Sequence, residues 1–156
     1  MTAYDNPQGP LYLGQPLLAL YSLISRMTPD QQFRLKYAFV QQALHYMEAR
    51  LPPPSEDDGE RGCLMIAQQW LDEPTNEHEL WAVYYVGADA MDGGARYDDY
   101  SKDFLEPASA AGSDLPEHAA SCALRAALPA QLASARQWQI EAALAILEGK
   151  ELPILA

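Results

Sequence analysis

Two apolar patterns with helical spacing meet at a proline in the middle of this chain, and they limit what the chain can fold into. The first pattern places apolar residues at the i, i+3, i+4 and i+7 positions of one helix face: Cys63, Ile66, Ala67 and Trp70. Pro74 ends this helix, because proline lacks an amide hydrogen and disfavours the helical conformation of its predecessor.

A second helix is predicted directly after that proline. With Asn76 as the N-cap, Glu79 falls at the N3 position of a capping box, and Gly93 follows the last apolar residue as a stop signal. The apolar face of this helix contains Leu80, Tyr84, Gly87, Ala88 and Met91. Because the connection is short, the two helices are expected to lie antiparallel, with Trp70 and Trp81 in a shared core.

The sequence Thr28-Pro29-Asp30-Gln31 is typical of a helix start, with a capping threonine, proline at N1 and glutamine at N3. The helix that follows is predicted to reach about Arg50, and its bases indicate a basic side of the molecule. A heptad seam runs along it: Phe33, Tyr37, Val40, Leu44, Met47 and Leu51. The seam favours a long helix inside a bundle, and a homodimer seam is the alternative.

Three further helices are predicted from apolar spacing. The first follows Pro16, with one face formed by Leu17, Leu20, Tyr21, Ile24 and Met27. A helix over residues 117–128 has a face of small side chains, which permits close helix packing: Ala119, Ala120, Ala123, Ala126 and Ala127. The last helix, over residues 130–148, is expected to bury Ala133, Ile140, Ala143, Leu144 and Leu147. Gly149 suits its C-terminal end.

Together these patterns predict an all-α, single-domain helical bundle of about six helices. Residues 1–15 form an N-terminal arm, and residues 16–156 form the helical domain. Within it lie a helical hairpin (16–51), a proline-rich and acidic linker (52–62) and a helical core (63–149), while residues 107–116 read as a loop of small side chains. No apolar run is long enough to cross a bilayer, and no secretory signal is visible, so a cytoplasmic location is expected.

Charge is distributed unevenly along the sequence. The chain of 156 residues carries 22 acids and ten bases, a net charge of −12. Residues 56–117 hold 16 of the acids but only three of the bases, so the rest of the chain is almost neutral. Such a field repels nucleic acid and anionic membranes and attracts basic partners. The alternative is that the acids only confer solubility.

No motif of catalysis or cofactor binding is found. The sequence has no phosphate-binding glycine loop, no H-E-x-x-H zinc motif and no paired cysteine ligands. Cys63 and Cys122 lie on apolar faces, where a thiol is inert, and the histidines (His45, His78 and His118) read as surface residues. We therefore expect no enzymatic activity, no catalytic residues, no cofactor and no metal site.

The candidate partner-binding surface combines tyrosines with acids around the run Tyr97-Asp98-Asp99-Tyr100. Tyrosine adds contact area at low entropic cost, and carboxylates add electrostatic attraction toward a basic protein. The predicted binding residues are Asp89, Asp92, Tyr97, Asp98, Asp99, Tyr100 and Asp103. In the alternative interpretation both tyrosines pack inward and the acids face water.

In size, acidity and alanine-rich helical style, residues 63–148 resemble the small immunity proteins of bacterial toxin systems. That resemblance implies neutralisation of a toxin by covering its basic active-site surface, and it carries over no individual residues. The predicted function is therefore a non-enzymatic protein-binding module with a basic partner. Two alternatives stay open: an assembly protein that forms dimers through the 33–51 seam, and a small-molecule binder near Trp70, Trp81, Tyr84 and Tyr85 in the helical core.

Overall fold

A computed structural model describes residues 14–49, 67–74, 110, 111, 113 and 115–155 of the chain. Four helices of eleven residues or more lie in these ranges: α1 (Gln15–Ser25), α2 (Pro29–Ala49), α3 (Pro116–Ala126) and α4 (Leu132–Glu148). A fifth, short 3-10 helix (Pro129–Gln131) precedes α4, residues 67–72 also have helical conformation, and the described ranges contain no strand. The predicted all-α helical bundle is thus confirmed, with five helices whose bounds lie in the described ranges where about six were predicted for the whole chain.

Helix α1 begins as the sequence predicts, with proline in its first turn after Gly14. The buried face of α1 differs from the predicted one at Tyr21 and Leu23. Leu17, Leu20 and Ile24 are buried as expected, but Tyr21 is 45% exposed and Leu23 takes its place in the core. Leu20, Leu23 and Ile24 still lie on one face, because residues three and four apart are neighbours on a helix.

The capping box at the start of α2 is confirmed. The backbone amide of Gln31 donates to Thr28 Oγ1 at 3.2 Å, and the amide of Thr28 donates in return to Gln31 Oε1 at 2.9 Å. Two donors that the helix itself cannot satisfy are thereby bonded. The box fixes the point where the chain turns from α1 into α2.

Replacing Thr28 with alanine is expected to lower the free energy of unfolding by about 1 kcal/mol, because the Gln31 amide loses its acceptor. Urea denaturation followed by circular dichroism measures the loss. Thr28→Ser keeps the hydroxyl and should keep most of the stability. Ser25→Ala is the matched control, since its hydroxyl bonds only the Ser22 carbonyl inside a helix. An equal loss in both alanine variants would contradict a capping role.

Helix α2 lies in the centre of the bundle and is buried on almost every side. The seam residues Val40, Leu44 and Met47 are buried within this single chain, so the described part of the seam serves the bundle itself. Phe39 and Tyr46, which lie off the seam, are also buried. The bases of α2 predict a basic side of the molecule, but Lys36 does not contribute to it, because its side chain is only 4% exposed.

Helix α3 presents the predicted face of small side chains, and that face packs on α2. Its alanines are almost completely buried: Ala119, Ala120, Ala123, Ala126 and Ala127. Alanine leaves little side chain between two helix backbones, so α2 and α3 can approach closely. Cys122 is buried on the same helix, as its apolar position predicts. Ala110 and Ala111 are helical and buried, so the predicted loop 107–116 is not a loop throughout.

Replacing Ala123 with leucine is expected to destabilise the protein by about 1–3 kcal/mol, because the added atoms have no space between the helices. Ala133→Leu is the matched control: Ala133 lies on α4 but is exposed, so the same change there should stay within about 0.5 kcal/mol. Both values come from urea denaturation. A tolerated Ala123→Leu would mean that α2 and α3 are not in close contact.

Helix α4 shows the largest difference from the sequence prediction. Ala133 is exposed and Leu144 is 39% exposed, whereas the polar residues Arg136 and Gln139 are buried. The prediction of a buried Ala133 and Leu144 is therefore wrong, since it counted apolar residues alone. Trp138, which lay off the predicted face, is buried as a second contact.

The packing of the helices also departs from the expected N-terminal hairpin. Helix α1 packs mainly on α4, and α2 packs mainly on α3, so these successive helices each find their chief partner in the C-terminal part of the chain. Side chains from every helix and from residues 67–71 meet in one apolar core. The division into arm, linker and core stays a prediction, because most of those boundaries lie outside the described residues.

Candidate functional site

The predicted acidic binding surface lies outside the described residues, so its seven residues stay a prediction: Asp89, Asp92, Tyr97, Asp98, Asp99, Tyr100 and Asp103. Cys63, His78 and the second predicted helix of the central pair lie outside them too. Of the aromatic residues assigned to the core pocket, the structure describes Trp70 and not Trp81, Tyr84 or Tyr85. Among the predicted surface histidines, His118 is exposed and His45 is half-buried.

Trp70 lies where the sequence predicts, in the core beside α2. Its side chain is 2% exposed, and its ring centroid is 5.8 Å from that of Phe33 and 5.9 Å from that of Tyr37. Lys36 Nζ lies 4.7 Å from the centroid of the same ring, which is cation–π geometry. Residues 67–72 are thereby joined to α2 by an aromatic cluster of Phe33, Tyr37 and Trp70. Phe33 and Tyr37 also line a surface cleft described below.

Polar side chains also lie inside the bundle, between α2, α3 and α4. Gln139 Nε2 donates to Gln42 Oε1 at 2.9 Å and to the Ala120 carbonyl at 3.0 Å. Gln42 Nε2 donates to the Ala135 carbonyl at 3.0 Å and to the Tyr46 hydroxyl at 3.2 Å. These bonds tie all three helices together at one level of the core. We call Gln42, Tyr46, Arg136 and Gln139 the buried polar cluster.

A buried arginine completes this cluster. Arg136 is 1% exposed, and its Nη1 donates to Gln139 Oε1 at 2.8 Å. Burial raises the pKa of the Tyr46 phenol, while its hydrogen bond with Gln42 acts in the opposite direction. The tyrosine therefore stays neutral at physiological pH. A cluster of two amides, a neutral phenol and a guanidinium offers no nucleophile or general base, so we assign it a structural role.

The C-terminal tail, residues 149–155, folds back over the helices. Gly149 takes the left-handed conformation with φ 70°, as the sequence predicts, and the Lys150 amide donates to the Ala145 carbonyl at 2.8 Å. Trp138 Nε1 then donates to the Pro153 carbonyl at 3.1 Å, and Leu155 packs on the core. The adjacent Ile154 is 92% exposed. The tail is thus held at Gly149, Pro153 and Leu155.

Two neighbouring cavities lie along this tail, and together we call them the tail cleft. The first has a volume of about 430 Å³ and is lined by residues that include Phe33, Arg34, Tyr37, Ile146, Lys150 and Leu152. The second, of about 320 Å³, shares Tyr37 and Leu152 with it and extends past His45 and Glu48 to Trp138. Each volume falls in the range of small-molecule sites. In the first cavity the aromatic rings come from α2 and the aliphatic side chains from α4 and the tail.

The two cavities differ in their polar groups. At the first cavity the charged residues of the described lining are Arg34 and Lys150, both exposed. Lys150 Nζ lies 2.7 Å from Glu148 Oε2, and this hydrogen bond raises the pKa of the lysine. Arg34 forms no ion pair with any described residue, including Asp30 one turn earlier. The second cavity has mixed polarity, with glutamine, histidine and glutamate in its wall.

The tail cleft is the site that the sequence interpretation missed. Phe33 and Tyr37 were assigned to the heptad seam, but both are only partly buried, and Leu152 and Pro153 were given no role. Tyr37 does contact Trp70, so the site adjoins an aromatic ring that the small-molecule alternative named. One feature of the sequence could have indicated a tail that packs on the helices: the apolar residues Leu152-Pro153-Ile154-Leu155 follow the helix stop at Gly149.

In the described ranges, no three His, Cys, Asp or Glu side chains come together in an arrangement that could hold a metal ion. No helix in those ranges has both the length and the hydrophobicity needed to span a membrane. Comparison with protein-family models, with characterised proteins and with solved structures finds no match to this chain.

Proposed function

We propose that this protein is a non-enzymatic binding module whose acidic central stretch, residues 56–117, engages a basic protein partner. The observation that carries the proposal is the segregation of charge: 16 of the 22 acids fall in this stretch, against three of the ten bases. Carboxylates grouped in this way raise the rate of encounter with a basic surface.

The described residues support this proposal, because they hold little of the net charge. They contain eight acids and six bases, so most of the net charge of −12 belongs to the remainder of the sequence. Two of those six bases, Lys36 and Arg136, are buried and do not contribute to the exposed surface. The tyrosines Tyr97 and Tyr100 would supply contact area within the acidic stretch.

The most specific form of the proposal is an immunity-type inhibitor. The chain resembles the immunity proteins of bacterial toxin systems in size, acidity and helical composition, and a toxin with a basic active-site surface would be the matching partner. Dimer formation through α2 is less well supported, because Val40, Leu44 and Met47 already lie in the core of one chain.

The test compares two variants with the same net charge. Asp98, Asp99 and Asp103 are changed to asparagine in the first, and Glu48, Glu141 and Glu151 to glutamine in the second. Both lose three negative charges, but only the first loses them from the acidic stretch. Immobilised wild-type protein captures proteins from an extract of the source cell, mass spectrometry identifies them, and the captured basic protein is then purified.

We expect the association rate constant for that partner to fall about tenfold in the first variant at low salt and to change little in the second. The wild-type rate should also fall steeply as salt is added. Stopped-flow mixing at several ionic strengths measures both effects. Equal rates in the two variants, or capture of acidic proteins alone, would contradict the proposal.

A further inference from the structure

From the tail cleft we infer that the protein binds a small amphipathic carboxylate, with the carboxylate at Arg34 and Lys150 and the apolar part against Phe33 and Ile146. The lining residues that the structure describes all lie outside the acidic stretch 56–117, and the inference does not depend on a protein partner. The larger cavity, of about 430 Å³, supplies the space.

The apolar part of the site is made by rings and aliphatic side chains from separate elements. Phe33 and Tyr37 come from α2, Ile146 from α4 and Leu152 from the tail. Both rings also contact Trp70, at centroid distances of 5.8 and 5.9 Å. A ligand with an aliphatic or aromatic body would remove apolar surface from water on both sides of the cavity, which is the main source of affinity in such sites.

The charged side chains of the cavity favour a ligand with a negative charge. Among the lining residues that the structure describes, Arg34 and Lys150 are the charged ones, and both are cationic. Since Arg34 has no ion-pair partner among the described residues, its guanidinium can bind a carboxylate through two parallel hydrogen bonds. Lys150 already contacts Glu148 at 2.7 Å, so it would share its charge between two carboxylates. Arg34 is therefore the residue on which the specificity mainly depends.

A ligand in this cavity would also stabilise the tail. Leu152 belongs to the cavity wall, and the neighbouring Pro153 is held by the indole of Trp138 at 3.1 Å. A ligand that contacts Leu152 therefore adds contacts to the segment between two fixed points, Gly149 and Pro153.

Octanoate and 1-octanol are suitable probes, because they share an apolar chain and differ in charge. Methyl NMR of protein labelled at the isoleucine δ1 positions follows the titration, and Ile146 reports on the site. We expect octanoate to shift the Ile146 methyl signal. We expect Arg34→Gln to weaken octanoate binding about two- to fivefold, the factor for one exposed ion pair, and Arg34→Gln with Lys150→Gln to weaken it further. Binding of 1-octanol should be unchanged in both variants.

Arg26→Gln is the matched control, because Arg26 is an exposed arginine at the end of α1 and is not part of the lining. It should bind octanoate as the wild type does. Three results would overturn the inference: no shift of Ile146 at millimolar octanoate, an equal loss in Arg26→Gln, or an equal loss of 1-octanol binding in Arg34→Gln. The variant lacking Asp98, Asp99 and Asp103 should bind octanoate normally, so failure of the acidic surface and failure of this site can be distinguished.

Discussion

Replacing Gln139 with leucine is expected to lower the free energy of unfolding by about 2–5 kcal/mol, because each buried polar group that loses its partner costs about 1–3 kcal/mol. Gln139 is fully buried and takes part in three hydrogen bonds, to Gln42, Arg136 and the Ala120 carbonyl. Leucine fills a similar volume but removes an acceptor from a guanidinium that is 1% exposed. The cost comes from the hydrogen bonds that Gln42, Arg136 and the Ala120 carbonyl lose inside the core.

Gln137→Leu is the control for this substitution. Gln137 lies two residues earlier on α4 and faces solvent, so the same chemical change there should stay within about 0.5 kcal/mol. Urea denaturation of both variants gives the comparison. A loss below about 1 kcal/mol at Gln139 would mean that water or a rearranged arginine replaces its bonds.

A double variant, Gln42→Leu with Gln139→Leu, distinguishes the contribution of the Gln42–Gln139 hydrogen bond to stability from that of the bond to Arg136. If the Gln42–Gln139 hydrogen bond carries much of the loss, the double variant should be more stable than the sum of the single losses predicts, by about 0.5–3 kcal/mol. The reason is that removing both partners leaves neither amide unsatisfied. Strict additivity would place most of the cost on Arg136 instead.

The sequence predicts the parts of the fold that depend on neighbouring residues, and it fails at the buried polar cluster. The capping box at Thr28 and the helix stop at Gly149 depend on residues close in the chain, so local rules identified both. The alanine face of α3 was equally visible, because every residue on it is small and apolar. The face of α4 was not visible, because Arg136 and Gln139 are polar and apolar periodicity assigns such residues to the outside.

The candidate site was less predictable than the fold for a related reason. The tail cleft exists because residues 149–155 return to α2, more than a hundred positions earlier in the chain. No local spacing encodes such a contact, and the tail has no helical or alternating period. Phe33 and Tyr37 were recognised as apolar, but the sequence could not indicate that their exposed edges would face a cavity. The acidic surface remains a prediction from charge alone.

Replacing Trp70 with alanine is the second change for which we expect a large effect, a loss of about 3–5 kcal/mol. The indole is 2% exposed and contacts Phe33 and Tyr37, so its removal leaves a cavity beside α2 and frees two rings. Tyr21→Ala is the control, because Tyr21 is an aromatic residue of α1 that is 45% exposed, and its loss should cost far less. Thermal and urea denaturation measure both.

Lys36 makes the Trp70 prediction more specific. Its ammonium lies 4.7 Å from the indole centroid, and its side chain is 4% exposed, so the charge interacts with the ring largely away from water. A double-mutant cycle between Trp70→Leu and Lys36→Met should therefore give a coupling of about 0.5–2 kcal/mol, the range of a cation–π contact. If the coupling is absent while Trp70→Ala remains costly, the indole stabilises the bundle through apolar packing and aromatic contacts alone. If Trp70→Ala itself costs less than Tyr21→Ala, residues 67–72 are not part of the cooperative core.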